Sequence, residues 1–108
     1  MKKWDNKKTE DLIRAILALK NRKESKMFLR DLLTEKELLE FGNRWKAVQM
    51  LNEGISYSKI EKETSLSSTT VARISKWFQK GTGGYGLMLN RISKKHHKAS
   101  SNSKKRLI

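Results

Sequence analysis

Apolar residues in this chain recur at helical spacing, and strict two-residue alternation occurs nowhere. In "EDLIRAILALKN" (10–21), Leu12, Ile13, Ile16, Leu17 and Leu19 fall on one side of a 3.6-residue repeat. In "ESKMFLRDLL" (24–33), Met27, Phe28, Leu32 and Leu33 do the same. The longest such run spans about 35–53, where Leu38, Phe41, Trp45, Val48 and Leu51 line one face and Leu39 and Met50 widen it. There is no Pro in 108 residues to break a helix. The pattern predicts an all-α fold without strands.

Helix ends are marked by short-range chemistry. Thr9 reads as an N-cap, with Glu10 and Asp11 in the first turn, where negative charge suits the helix dipole. Thr34 and Glu37 stand three apart in "TEKE", a capping box. Gly54 stops the long helix. Gly42 lies inside it at a cost of roughly 1 kcal/mol relative to Ala, which points to a close helix crossing. Ser56 caps a short helix ending near Thr64, and Ser67 caps another running to about Lys80. "GTGG" (81–84) is a loop, and "YGLMLNRIS" (85–93) is a last helix with Leu87, Leu89 and Ile92 apolar. Residues 94–108, "KKHHKASSNSKKRLI", are basic and aperiodic and read as a disordered tail after one domain, 1–93.

At 36% hydrophobic and 7% aromatic residues the core is thin for one small domain, which favours oligomerisation. No Cys is present, so disulfides and thiolate metal sites are excluded. No apolar run approaches membrane-spanning length. The N-terminus "MKKWDNKKTED" lacks the apolar stretch of a signal peptide, so a cytoplasmic protein is expected.

The net charge is +14 and unevenly placed. Residues 1–63 hold 15 Lys/Arg and all 11 Asp/Glu, a balance of +4, whereas residues 64–108 hold 10 Lys/Arg and no acid, +10. Such a field attracts polyanions, nucleic acid first. A merely solubilising surface is the bland alternative. It accounts poorly for an acid-free half that includes helical sequence.

Two short helices joined by a three-residue turn make a helix-turn-helix over 57–80. Ile60, Thr64, Leu66, Val71 and Ile74 occupy the positions where its helices touch. Ser65 stands in the turn where Gly is usual, and Glu61 where a small residue is usual. On a helical wheel Val71, Ile74 and Phe78 form the inner face of "SLSSTTVARISKWFQKG", with Thr70 and Trp77 flanking it. Thr69, Ala72, Arg73, Lys76 and Lys80 form the outer face. Small residues at the helix start, Ser67, Ser68 and Thr69 among them, permit close approach to bases, and the cations beyond suit phosphates. A solvated basic surface helix is the alternative reading of this stretch.

"LLTEKELLEFGNRWKAVQMLNEGISYSKIEKETSLSSTTVARIS" (32–75) and "KGTGGYGLMLNRI" (80–92) resemble the Trp repressor superfamily, in particular its TrpR-like YerC/YecD group. The likeness covers about 8–93. It implies a six-helix, intertwined homodimer that binds double-stranded DNA as a transcriptional regulator, in the sense of a repressor. It also implies that Ser68, Thr69 and Ala72 lie at the bases and Tyr57 and Ser58 near the DNA backbone. Glu61 departs from the family, which has a basic residue there. An effector pocket for tryptophan would match Thr34, Arg44, Thr70 and Arg73, but Ile74 stands where the repressor has Gly. Its side chain takes space the indole needs, so the expectation is that tryptophan does not bind. Arg73 is claimed both by DNA, from the wheel, and by a ligand, from the likeness.

Enzymatic chemistry has little support. His96 and His97 are adjacent in the tail, a poor acid–base or metal pair, and "KGTGGYG" lacks the ending of a P-loop. No cofactor or metal is expected. The rival to a sequence-specific regulator is a basic protein that binds RNA or packs the nucleoid without sequence preference.

Overall fold

The computed structural model describes residues 2–94. Among them every regular element is helical: α1 (Lys7–Ala18), α2 (Arg22–Leu32), α3 (Glu35–Asn52), α4 (Tyr57–Thr64), α5 (Ser68–Lys80) and α6, whose described part is 84–94. The expected all-α class with six helices is what is found. Residues 95–108, most of the expected tail, lie outside the described residues, as do His96 and His97. The chain divides into two compact units, parting between Glu40 and Phe41 within α3.

In the first unit, α1 starts earlier than Thr9. Asn6 is the N-cap: its side-chain oxygen accepts the Thr9 N–H at 3.1 Å, and Thr9 Oγ1 accepts the Asn6 N–H at 3.0 Å. Thr9 is thus the reciprocal partner of the cap, three residues inside. Either residue type can cap, and the one that leaves fewer unpaired N–H groups at the helix start takes the role. Asn21 caps α2 by accepting from Glu24 N at 2.9 Å, and Glu24 Oε1 accepts the Lys20 N–H at 3.0 Å. Neither helix holds a fully buried residue. Leu17 is 77% exposed and Met27 60%.

Thr34 and Glu37 form the expected capping box at the start of α3. Thr34 Oγ1 accepts the Glu37 N–H at 3.1 Å, and Glu37 Oε1 accepts the Thr34 N–H at 3.0 Å. The Thr34 backbone N–H, then its side chain, holds the Glu37 carboxyl below its ordinary pKa.

The second unit holds the core: Ala47, Val48 and Met50 of α3, Ile60 of α4, and Val71 and Ile74 of α5. Trp45, Leu51, Ile55, Leu66, Tyr85 and Leu89 pack around it half-buried. Five of these core side chains are 0% exposed, and the four larger ones (Val48, Ile60, Val71, Ile74) are each worth about 1.5–3 kcal/mol relative to an exposed position. The buried side of α3 differs from the sequence expectation. Ala47 and Met50 join Val48 inside, while Phe41 is 47% exposed. The core gathers on the C-terminal half of α3, and Phe41 lies before it. Gly42 marks no close crossing among the described residues, since a Cβ there would meet nothing within 4 Å.

Gly54 ends α3 at φ +76°, a conformation that favours glycine. Gly81 ends α5, where its N–H donates to Trp77 O at 2.8 Å. A Cβ at Gly81 would lie 2.3 Å from that same carbonyl oxygen, so only glycine fits.

Candidate nucleic-acid interface

α4 and α5 pack on each other through Ile60, Val71 and Ile74, and three residues separate them. The turn is built by side chains. Thr64, 2% exposed, donates from Oγ1 to Ile60 O at 2.7 Å, and the Leu66 N–H donates to Thr64 Oγ1 at 3.3 Å. Ser65 adopts φ 59°, ψ 16°, the left-handed conformation usually given to Gly, and its N–H closes α4 on Glu61 O at 2.8 Å. Ser56 caps α4 by accepting from Lys59 N at 3.3 Å. Ser67 caps α5 by accepting from Thr70 N at 3.1 Å, and its hydroxyl donates to Thr70 Oγ1 at 2.9 Å. Both caps are where the sequence places them.

This anchoring decides what α5 shows to solvent. Ser67, Ser68, Thr69, Ala72, Arg73, Lys76 and Lys80 are exposed, as are Tyr57 and Ser58 at the start of α4. The acids of the described second unit are Glu53, Glu61 and Glu63, the last two on α4 with Glu61 half-buried, and α5 carries none. The result is a helix face with hydroxyls and a methyl group at its N-terminal end and ammonium and guanidinium groups beyond. Such a face can enter a DNA major groove, with small groups at the base edges and cations at phosphates.

Two residues escape the sequence reading. Ser75 is 3% exposed and completes the inner face, whereas Phe78 is only half-buried. Ser75 Oγ accepts from the Tyr57 hydroxyl at 2.6 Å and from Gln79 Nε2 at 3.0 Å. Ser75 stands about 40° from Val71 on the wheel, so its burial was legible from periodicity. Its polarity hid it, because an apolar count skips a hydroxyl.

Of the five residues matching an effector pocket, Thr34, Arg44, Thr70 and Ile74 are engaged within the protein. Thr34 Oγ1 accepts in the α3 cap and Thr70 Oγ1 accepts from Ser67. Arg44 is half-buried, its guanidinium 5.9 Å from the centre of the Phe41 ring. Arg73 is exposed, and Ile74 is a fully buried member of the core.

An open apolar cleft of about 570 Å³ also lies in the second unit, lined by Trp45, Trp77, Tyr85 and Met88 with the 81–84 loop. The Trp45 and Tyr85 rings are 6.4 Å apart, tilted by 39°.

Comparison with known proteins agrees with this arrangement. The chain is 33% identical to YerC of Bacillus subtilis (strain 168) over 99 residues, covering 92% of this chain and 95% of YerC. It superposes on the crystal structure of a TrpR like protein from Eubacterium eligens ATCC 27750 with a TM-score of 0.80 at 31% identity, over 84% of this chain and 94% of that one. A crystal structure from Staphylococcus aureus gives a TM-score of 0.78 at 32% identity, over 84% and 91% of the two chains. Residues 7–93 match the Trp repressor protein family. The chain therefore belongs to the Trp repressor family, and within it to a TrpR-like YerC group, a family of DNA-binding regulators.

Proposed function

We propose that this protein is a sequence-specific transcriptional repressor that binds double-stranded DNA as a homodimer through α4 and α5. The observation that carries the reading is the outer face of α5: Thr69, Ala72, Arg73, Lys76 and Lys80 exposed together on a helix whose opposite side is anchored in the core. Ser67, Ser68 and Thr69 meet or approach base edges with Ala72, and Tyr57, Ser58, Lys76 and Lys80 lie along the phosphates. Two copies place two α5 helices in successive major grooves, one DNA turn apart, and select a pseudo-palindromic site. Occupying that site near a promoter represses by occlusion. The protein acts in the cytoplasm, at the nucleoid.

The dimer is supported by apolar surface left exposed among the described residues. α1 and α2 bury no residue fully, and the cleft at Trp45, Trp77, Tyr85 and Met88 is apolar and open. A second copy offering α1 and α2 would cover both kinds of surface.

Tryptophan is not the effector in this reading. Ile74 is sealed in the core at 0% exposure and holds α5 without a ligand. The reading helix is then set by packing, not by binding of an amino acid.

Selection of bound DNA from a random pool, together with the mass of the complex, tests the proposal. A palindromic consensus bound by two copies is expected, retained in a competition gel against excess unrelated DNA. The charge of +14 also suits binding without sequence preference. No enriched sequence and equal competition by any DNA or RNA would favour that second reading.

A further inference from the structure

Beside the outer face of α5 lies a small polar cleft lined by Tyr57, Ala72, Ser75, Lys76, Gln79 and Lys80. Its back wall is a three-residue network. The Tyr57 hydroxyl and the Gln79 amide both donate to Ser75 Oγ, at 2.6 and 3.0 Å. The Tyr57 hydroxyl proton is therefore spent inside the protein, and that hydroxyl does not donate to a ligand while the bond holds. The donors left to the cleft are the ammonium groups of Lys76 and Lys80 and the second Gln79 amide proton, with the Ser75 hydroxyl's own proton behind them on a side chain only 3% exposed. Lys76 and Lys80 stand one helical turn apart, and neither has an ion-pair partner among the described residues. Two unpaired cations at a neutral polar wall suit a tetrahedral oxyanion better than a base edge, which needs donors and acceptors in a fixed pattern.

We propose that this cleft seats one phosphate of the DNA backbone in each half-site, and that Ser75 is the positioning residue that builds it without touching DNA. The proposal rests on the DNA-binding reading above. Ser75 fixes the Tyr57 ring, at the first residue of α4, against the C-terminal half of α5. The angle between the two helices and the place of the lysine ammonium groups are set together. Lys76 and Lys80 supply the charge, and Gln79 adds one neutral hydrogen bond.

The test uses the full chain and the DNA recovered by random-pool selection. A double-mutant cycle compares Tyr57→Phe, Ser75→Ala and the pair, with Gln79→Leu as a second arm, and circular dichroism checks folding in each. Ser75→Ala and Tyr57→Phe are each expected to weaken binding by roughly five-fold, and the pair by no more than either alone. The salt slope should stay unchanged in these neutral variants and fall by about one in Lys76→Gln. Replacing phosphates one at a time with neutral methylphosphonate should find one position per half-site that reproduces the Lys76→Gln loss, with no further loss when both changes are combined. Independent, multiplying effects of Tyr57→Phe and Ser75→Ala would overturn the positioning role. The absence of any such phosphate position would overturn the seat. So would saturable binding of inorganic phosphate to the DNA-free protein, lost in Lys76→Gln, which would assign the cleft to a free phosphate ligand. If the pool selection yields no preferred DNA, the sequence-specific function fails on its own, and the same variants and methylphosphonate scan on a duplex of arbitrary sequence decide the phosphate seat.

Discussion

The Tyr57 hydroxyl donates to Ser75 Oγ across 2.6 Å, joining the first residue of α4 to the middle of α5, 18 positions on. This bond, with that from Gln79, explains how a hydroxyl can sit 3% exposed beside an apolar core. It also makes the two helices one mechanical piece. The apolar contacts of Ile60, Val71 and Ile74 hold α4 to α5. They leave the sliding of one helix on the other less restrained than a directional hydrogen bond does.

Ser65 should be improvable. It adopts φ 59°, a left-handed conformation that costs a residue with a Cβ about 1 kcal/mol. Ser65→Gly removes that strain and adds some freedom to the unfolded chain. A net gain of up to about 1 kcal/mol is expected, read as a higher urea midpoint at unchanged slope. A loss of stability would mean that the Ser65 side chain is held by something other than its turn.

Ile74 should behave as core and not as a pocket lid. Ile74→Ala is expected to destabilise the fold by about 2–5 kcal/mol, measured by urea unfolding. Calorimetric titration of the wild-type protein with L-tryptophan is expected to show no saturable heat at micromolar concentrations. A saturable isotherm would return the chain to the effector-dependent branch of its family.

Thr69 and Lys76 should separate reading from attraction. Thr69→Ala is expected to reduce the preference for the selected DNA site while sparing binding to unrelated DNA. Lys76→Gln is expected to weaken both alike and to flatten the dependence of affinity on salt by about one unit. Equal losses on both DNAs for Thr69→Ala would remove it from the bases.

The capping box of α3 should make stability sensitive to acid. Thr34 holds the Glu37 carboxyl below its ordinary pKa in the folded chain. The group therefore contributes above the ordinary carboxylate range, and the contribution is lost as pH falls through the lowered folded value. Thermal midpoints of wild type and Glu37→Gln should differ at pH 7 and converge toward pH 3. Thr34→Ala should cost about 1 kcal/mol at neutral pH. A gap between wild type and Glu37→Gln that persists at low pH would show that the carboxylate charge is not its source.

The parts of this protein that were legible in its sequence are those made by neighbours in the chain. Thr34 with Glu37, Ser56 and Ser67 cap α3, α4 and α5 at the expected residues, because a cap is a hydrogen bond spanning three positions. The outer face of α5 followed from 3.6-residue periodicity alone. Even the misplaced start of α1 was a local contest, between Asn6 and Thr9, and both ended in one capping box.

Tertiary structure decided what periodicity leaves open. Phe41, Trp45 and Val48 share one stripe of α3, yet only Val48 is fully buried, because the rest of the core gathers on the C-terminal half of that helix. Ser75 is inside because Tyr57 and Gln79 satisfy it there, and two partners at separations of 18 and 4 are not visible to a count of apolar residues. Short-range hydrogen bonds and helical pitch are properties of the chain, and the sequence determined them. Which apolar stripe finds a partner, and which polar group is allowed inside, depends on what the fold brings opposite it, and only the packed structure decided that.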